Sequence, residues 1–438
     1  MKIFGFKGGV HPADNKSQTE NKPTERLAMP KMLYIPLLQH IGAVLEPTVA
    51  IGEKVLKGQK IADSQAFLVS PIHASTSGTI KKIENYEFPL MGRVKTIFLE
   101  PDGEDKWCEL TTIPNWKESA KEQLIAKIKE CGIVGIGGAS FPTHVKLNPP
   151  ADAKIDTLLL NGAECEPYLN SDNRLLIENS SSVIEGIKIL KHILNVEKAV
   201  IGIEDNKQEA ISKLQEAVKG VEGIEIAVLK TMYPQGGEKQ LIKAALNREV
   251  PSGKLPLNVG VVVQNTGTAA AVYNAIVFGK PLVEKIVTVS GLAVKEPKNI
   301  VALIGTPISE LLDVCKTNIE EIDKLVMGGP MMGMAQHTSD VPVIKGTSGV
   351  LALTAKETNR CKARACIGCG KCVDVCPMGL LPIMYARLGE FQIWEDFKKY
   401  DVMDCIECGS CAYICPANRP LTEAIKLGKG KVRMMMTK

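Results

Sequence analysis

The spacing of apolar and polar positions predicts two folded regions in the first two thirds of the chain. Residues 35–100 alternate short apolar runs with turn-forming residues, as in VLKGQKIA followed by SPIHASTSGTI, and this rhythm predicts a small all-β sandwich. An amphipathic helix is predicted over residues 117–130. The stretch up to residue 280 then alternates helical spacing with four apolar runs, which are KIDTLLLN, KAVIGIE, IEIAVLK and NVGVVVQN. Strand–helix alternation of this kind predicts a parallel sheet in a three-layer core.

The last third of the chain predicts smaller units. Residues 285–330 read as an α+β unit, after which the Met- and Gly-rich VMGGPMMGMAQ begins a linker. Residues 383–400 predict one helix that supplies core for a very small domain. Its apolar face comprises Leu388, Phe391, Trp394 and Phe397.

Polar segments lie near both ends of the chain. Residues 11–31 have too few apolar positions to fold alone, so this arm is a candidate docking segment. The basic C-terminal stretch fits a frayed, solvated terminus as well as an aid to membrane attachment. The predicted divisions are an arm at 1–34, the sandwich at 35–115, the α/β domain at 116–280, the α+β unit at 281–335, a cysteine-rich domain at 355–425 and a basic tail at 426–438.

Composition narrows the class of protein. The chain has 438 residues, 45% hydrophobic and 23% charged, with a net charge of +4, which fits several globular domains and is too small a charge to indicate nucleic-acid binding. No stretch approaches 18 consecutive apolar residues, so we expect no membrane span. Residues 1–9 do not resemble a signal peptide, and the 13 cysteines therefore predict metal ligation in a reducing compartment rather than disulfides.

Eight of these cysteines form two runs with the spacing C-x₂-C-x₂-C-x₃-C-P. Such a run places three thiolates on one [4Fe–4S] cluster and turns the fourth towards a second cluster. A pair of zinc knuckles is the alternative, but zinc ligands come in two pairs. Cys361 has no partner spacing and is expected to be a bystander. The predicted ligand sets are Cys366, Cys369, Cys372 and Cys415 for one cluster, and Cys376, Cys405, Cys408 and Cys411 for the other.

A glycine-rich turn, GIVGIGGASFPTHVKL over residues 132–147, fits neither a Rossmann nor a Walker motif. By itself it permits a structural turn as readily as a cradle of amides for a phosphate. Three later segments place polar groups at strand ends or helix starts, where ligands bind in open α/β sheets; they are NGAECEP, YPQGGEKQLIKAAL and VVVQNTGTAAAV. Read alone, Glu164 and Glu166 fit a solvated strand end, but together these segments favour ligand contact.

This series of segments resembles the flavin-binding, NADH-oxidising subunit of respiratory complex I. The sandwich resembles the lipoyl/biotinyl-like barrel-sandwich fold without its attachment lysine, so we expect a scaffold there, and residues 281–335 resemble a soluble-ligand-binding β-grasp (SLBB) domain. With the opening GGVHP and the paired cysteine runs, nearly the whole chain is similar to the C subunits of Rnf complexes. These are membrane ferredoxin:NAD⁺ oxidoreductases coupled to Na⁺ or H⁺ transport. The implied fold class is multidomain α/β, with barrel-sandwich, flavin-binding α/β, β-grasp and two-cluster ferredoxin-like α-helical domains.

The resemblance implies FMN, two [4Fe–4S] clusters and NAD(H) as substrate. The implied flavin contacts are Gly135, Gly137, Gly138, Ala139, Lys146, Asn161 and Glu164. Glu166 and Glu238 match acids near the nicotinamide, and the far wall matches Tyr233, Gly236, Gly237, Asn265 and Thr268. Gly237 departs from complex I, which has a second acid there, and Thr266 and Gly267 interrupt its Asn pair.

The resemblance also implies a function and its setting. Hydride would pass between NAD(H) and FMN, and single electrons between FMN and the clusters, with no side-chain acid or base required. The implied partners are the other subunits of a membrane Rnf-type complex, with ferredoxin reached through them, at the cytoplasmic face. Two alternatives stay open: a soluble cobalamin reductase of bacterial microcompartments, in which a barrel-sandwich does not lead the chain, and a non-enzymatic electron wire.

Overall fold

The N-terminal segment, residues 3–32, crosses three domains, and we call it the strap. The computed structural model describes residues 3–89, 92–358 and 360–436. Val10 and Tyr233 exchange two main-chain hydrogen bonds of 2.8 and 2.9 Å, Lys16 is buried, and strand β1 (Thr24–Arg26) pairs with a later sheet. The expected arm is therefore packed on the folded domains, and docking through residues 11–31 stays a prediction. Main-chain bonds and one buried lysine hold the strap, and neither leaves an apolar pattern in the sequence.

Residues 33–101 form the small all-β sandwich that the sequence predicts. Leu33, Ile35 and Ile97 are fully buried in its core, as the alternation of apolar and polar positions requires. Two sheets face each other, with strand orders β2-β8-β7-β4 and β3-β5-β6. The strands are β2 (Leu33–Pro36), β3 (Glu46–Pro47), β4 (Lys54–Val55), β5 (Lys60–Asp63), β6 (Ile72–His73), β7 (Gly78–Glu87) and β8 (Arg93–Pro101).

The α/β domain contains all four predicted strands in one parallel sheet. Its helices are α1 (Lys121–Glu130), α2 (Thr143–Lys146), α3 (Ser171–Glu178), α4 (Ser180–Leu194), α5 (Gln208–Ala217), α6 (Glu238–Leu246) and α7 (Thr266–Phe278). Its strands are β9 (Thr157–Gly162), β10 (Lys198–Glu204), β11 (Ile224–Leu229) and β12 (Val261–Asn265), in the order β11-β10-β9-β12. Separate apolar clusters cover the two faces of the sheet. Helices α4 and α7 can pack closely because Gly186 has no Cβ, which would overlap the carbonyl of Ala269.

The β-grasp domain is larger than predicted. It comprises β13 (Glu284–Ser290), β14 (Lys298–Leu303), α8 (Ile308–Val314), β15 (Lys324–Met327), β16 (Met334–Gln336) and β17 (Gly349–Leu353). The sheet order is β1-β14-β13-β17-β15-β16, so the strap supplies one edge. The linker predicted to begin at VMGGPMMGMAQ, residues 326–336, instead leads through β16 and the inner strand β17. GVLAL is a short, wholly apolar run, and such a run has no periodicity to identify it as a strand.

The cysteine-rich domain is built from short helices: α9 (Lys371–Asp374), α10 (Pro382–Glu390), α11 (Trp394–Lys399), α12 (Ser410–Tyr413) and α13 (Leu421–Met436). The single helix predicted over residues 383–400 is two, because the chain turns at Gln392 with φ of 56°. Phe391 is consequently 72% exposed, whereas Leu388 and Phe397 are buried. Helix α13 includes the described part of the expected basic tail. Among the described residues, no helix has the length and apolar character needed to cross a membrane.

Candidate functional site

The carboxyl ends of β9 and β12 bring two predicted site residues side by side. Asn161 and Asn265 are paired in the parallel register of these strands. The Asn265 side-chain oxygen caps α7 by accepting from the amides of Gly267 and Thr268, at 2.7 and 3.3 Å. Its amide group donates to Asp172 at 2.6 Å. The Asn161 amide group donates to the carbonyl of Gly236 at 2.8 Å, which joins the strand end to the predicted far wall.

The glycine-rich loop lies beside this edge. The Ile136 amide donates to the Thr268 hydroxyl at 3.0 Å, which ties the loop to the start of α7. Gly137, Gly138 and Ala139 lie at its surface. A Cβ at Gly137 would collide with the side chain of Asn265, whereas one at Gly138 would meet no atom within 4 Å. The loop thus keeps one open side at the edge where ligands bind in parallel sheets.

Lys146 and Glu238 form an ion pair across the site. Their Nζ and Oε1 atoms are 2.9 Å apart, with the side chains 33% and 41% exposed. The Lys146 ammonium also donates to the carbonyl of Val263 at 3.2 Å. Exposed pairs of this kind contribute about 0–1 kcal/mol, so the lysine can exchange its partner for a ligand phosphate with little loss of stability.

The carboxylates of Glu164 and Glu166 accept hydrogen bonds from different parts of the fold. The Glu164 carboxylate accepts from the amides of Asp172 and Asn173, at 2.8 and 3.0 Å, and so caps the start of α3. The Glu166 carboxylate accepts from the amides of Met331 and Met332, at 3.0 and 2.8 Å, in the β-grasp domain. Burial raises the pKa of Glu166 to about 7. Contact of Glu164 with flavin stays a prediction, since its carboxylate is engaged by α3.

The Tyr233–Glu238 turn connects this site to the cysteine-rich domain. Tyr233 is 1% exposed, and its hydroxyl donates to the main-chain carbonyl of Cys408 at 2.7 Å. The Gly236 amide donates to the sulfur of Cys165 at 3.2 Å. Cys165 packs in the same small apolar cluster as Tyr233 and Cys408. A predicted cluster ligand therefore lies directly against the predicted nucleotide site.

The cysteines group as the crossed arrangement predicts. One cavity is lined by four of them together with Pro377, Leu380, Tyr385 and Thr422; the four are Cys376, Cys405, Cys408 and Cys411. Burial raises the pKa of Cys411 to about 12, and the thiols of Cys405, Cys408 and Cys376 add to that rise. Burial also raises the pKa of Cys372, and the thiols of Cys415 and Cys369 add to that effect. The fourth cysteine of each run thus lies near the other run.

The two groups differ in exposure. Cys366 and Cys369 are exposed, while Cys408 and Cys411 are buried. Among the residues that the structure describes, no three His, Cys, Asp or Glu side chains gather as ligands of a single metal ion. In a cubane each iron has its own thiolate, so the four ligands stand further apart than around one ion. The four cysteines that line one cavity provide one thiolate for each iron of a [4Fe–4S] cluster.

The strand-end site also fits a polar cofactor. Of the buried polar atoms that have no hydrogen-bond partner among the described residues, three belong to the segments that form this site: Gln235 Nε2, Gln264 Nε2 and Thr266 Oγ1. Sequence reasoning missed Asp172, whose pKa is raised by burial and then by the charge of Glu164, and it missed Lys16. Asp172 lies in the polar stretch YLNSDNR, which carries no motif, and Lys16 lies about 150 residues away from its partners.

Three family models match the chain. They are the RnfC barrel sandwich hybrid domain over residues 4–104, the Nuo51 FMN-binding domain over residues 128–274 and a 4Fe-4S dicluster domain over residues 365–419. An FMN-binding fold that contacts a two-cluster domain defines an iron–sulfur flavoprotein of the oxidoreductase class. The predicted fold class, FMN and paired [4Fe–4S] clusters are thereby confirmed.

Full-length relatives narrow the assignment. The C subunit of the proton-translocating ferredoxin:NAD(+) oxidoreductase complex of Clostridium ljungdahlii is 49% identical over 98% of this chain and 94% of its own. The C subunit of the Na(+)-translocating complex of Acetobacterium woodii is 43% identical over 98% and 97%. The C subunit of the ion-translocating oxidoreductase complex of Rhodobacter capsulatus is 44% identical over 99% and 84%. The chain belongs to this family of C subunits, so the resemblance inferred from its sequence is confirmed.

One solved structure of similar fold is the NAD+-reducing [NiFe]-hydrogenase in its H2-reduced state. The likeness has a TM-score of 0.49 at 17% identity, and it covers 73% of this chain and 62% of that chain.

Proposed function

We propose that this chain is the electron-transfer subunit of a membrane-bound, ion-translocating ferredoxin:NAD⁺ oxidoreductase. Its family membership supports the complex and the partner subunits. The observation that carries the mechanism is the hydrogen bond of 2.7 Å from Tyr233 to the carbonyl of Cys408, because it places the strand-end site and the cysteine cavity in direct contact. Bound FMN and [4Fe–4S] clusters supply the conversion between two-electron and one-electron transfer.

The residues of the strand-end site bind and orient the flavin and the nicotinamide nucleotide, and none of them takes part in the reaction itself. The amides of the 135–139 loop and the ammonium of Lys146 would hold the flavin phosphate, and Asn161 would contact the flavin. Glu166 and Glu238 lie on the side proposed for the nicotinamide nucleotide. The far wall comprises Tyr233, Gly236, Gly237, Asn265 and Thr268.

The difference in burial gives the two cysteine sets different roles. The set with Cys376 lies against Tyr233 and is the inner one. The set with Cys366 lies outside, where the neighbouring Ile367 is 70% exposed. Electrons therefore pass between this chain and its partner subunits at the outer set. We place the chain at the cytoplasmic face of the membrane, held there by those subunits.

An anaerobic titration of the reconstituted chain with NADH tests this function. We expect the flavin absorption bands to bleach, because the nicotinamide and flavin sites share one edge of the sheet. Flavin bands that stay unchanged with excess NADH would contradict the proposed function and favour the non-enzymatic electron wire. Faster reduction of cob(II)alamin than of any partner subunit would favour the cobalamin-reductase alternative instead.

A further inference from the structure

The strap places a buried lysine beneath the acidic loop of the site. Lys16 is 4% exposed and lies in a short 3₁₀ turn, Lys16–Gln18. Its ammonium donates to the main-chain carbonyls of Glu164 and Glu166, at 3.0 and 2.9 Å, and also to that of Leu169. An ammonium has three protons, and here all three are directed at one loop, residues 164–169.

The loop that Lys16 holds has an unfavourable backbone. Glu164 and Tyr168 have φ of 44° and 67°, in the left-handed region that residues with a Cβ avoid. Such conformations persist only where the surroundings fix them. The strap adds further bonds here, since the Tyr168 amide donates to the carbonyl of Asp14 at 2.7 Å and the Asn170 side chain donates to that of Lys16 at 2.9 Å.

This backbone directs the side chains of the loop to different parts of the site. Glu164 caps α3, which also carries Asp172. Glu166 reaches the amide of Met331, and Cys165 accepts from Gly236 in the far wall. A shift of the loop therefore moves both the flavin edge and the nicotinamide side.

We propose that Lys16 is a positioning residue for nicotinamide-nucleotide binding, acting through the loop that presents Glu166. This proposal rests on the proposed function, which places NAD(H) beside that loop. Lys16 itself touches main-chain carbonyls, and its effect is to keep the loop in the conformation that the nucleotide meets.

The substitution Lys16→Met tests the proposal, because it removes the ammonium and keeps an unbranched side chain. We expect NAD⁺ affinity of the anaerobic holoprotein, measured by calorimetry, to fall about tenfold, which corresponds to about 1.4 kcal/mol. The KM for NADH should rise in parallel with little change in kcat, as for loss of uniform binding. FMN and iron contents should stay at wild-type values.

Lys22→Met is the matched control. Lys22 lies on the same strap, is exposed and donates to one carbonyl, that of Pro297, at 2.9 Å, so its loss should leave NAD⁺ affinity unchanged. Wild-type affinity in a fully flavinated Lys16→Met chain would overturn the proposal, even if that chain melts earlier. If Lys16→Met does not fold, Lys16→Gln decides, because its neutral amide has two N–H donors in place of three and cannot serve all three carbonyls. Reduced affinity supports the proposal and wild-type affinity overturns it. Failure of the wild-type chain itself to bind NAD⁺ would instead refute the proposed function.

Discussion

At the scale of single residues, the site depends on which groups each side chain hydrogen-bonds. Glu164 and Glu166 are two residues apart, yet one caps a helix and the other binds amides of another domain. Their sequence spacing predicted an acidic pair at a strand end and could not predict this division of roles. The partners of Glu166 lie 165 residues or more along the chain, beyond the reach of local patterns.

The raised pKa of Glu166 predicts a pH-dependent stability. Burial moves that pKa from 4.5 to about 7, so the stabilisation present below pH 4.5 is lost as the pH rises through 7. A rise of this size corresponds to up to about 3 kcal/mol. The Glu166→Gln variant cannot ionise, so its melting temperature relative to wild type should increase between about pH 5 and pH 7 and level off above pH 7. The half-exposed Glu238 provides the control Glu238→Gln, and a pH-independent difference for Glu166→Gln would contradict the assignment.

The open side of the glycine-rich loop predicts that a side chain added there causes loss of flavin without unfolding the protein. A Cβ at Gly138 meets no protein atom within 4 Å, so Gly138→Val should fold normally. Its side chain would fill the space that the flavin phosphate needs, and FMN content should fall to less than about a tenth of wild type, equivalent to about 1.4 kcal/mol or more. Gly5 also has open space around it, so Gly5→Val should retain its flavin. Full flavin occupancy in Gly138→Val would show that the loop assignment is wrong.

At the scale of elements, the sequence predicted the helices and strands that have a periodic or sharply bounded apolar pattern. It did not predict where the chain turns between elements. The four parallel strands were predicted because each is an apolar run between helical segments. Strand β17 was missed because GVLAL is a short, wholly apolar run, which has no periodicity to identify it as a strand. The turn at Gln392 divides α10 from α11 although the apolar spacing continues through it, since only tertiary packing decides which of those side chains is buried. The paired clusters could be predicted without tertiary information, because the spacing of the two cysteine runs is typical of a two-cluster domain, and the crossed ligation stays a prediction.

The crossed cysteine sets predict that replacing the fourth cysteine of one run impairs the cluster held mainly by the other run. Cys376 shares a cavity with Cys405, Cys408 and Cys411, so Cys376→Ser should impair their cluster more than the cluster held by its own run. Iron content of the reconstituted variant should fall from about eight to about four per chain, and EPR spectroscopy should identify the surviving cluster. Cys361→Ser should leave iron content unchanged. A wild-type content of about four irons would exclude two cubanes.

At the scale of the whole molecule, the strap contacts the α/β, cysteine-rich and β-grasp domains and so connects them. It begins on the α/β domain, passes the inner cysteine set at Gly9, whose amide donates to the carbonyl of Val375 at 2.9 Å, and ends as an edge strand of the β-grasp sheet. Helix α13, near the C-terminus, packs in the cysteine-rich domain. Its Lys429 is buried and donates to the carbonyl of Cys405 at 2.7 Å. The buried parts of both terminal segments are therefore engaged within the chain, which agrees with the proposal that partner subunits dock at the exposed outer cysteine set.

Attachment through partner subunits predicts resistance to salt. In about 1 M salt the Debye length falls to about 3 Å, and electrostatic adsorption to lipid headgroups is largely removed. Membranes that contain the partner subunits should keep this chain through such a wash, as immunoblotting of pellet and supernatant would show. Full release by salt alone would contradict attachment through protein contacts.

The most direct test of the central claim follows electrons from the clusters to the nucleotide. The chain is reduced anaerobically with dithionite, freed of reductant and mixed with NAD⁺, and both NADH absorbance and cluster EPR signals are recorded. We expect NADH to form as the signals of both clusters disappear, and we expect the flavin-depleted Gly138→Val chain to form NADH only in proportion to its remaining FMN. Cluster signals that persist beside oxidised flavin and excess NAD⁺ would contradict the connection between the two sites.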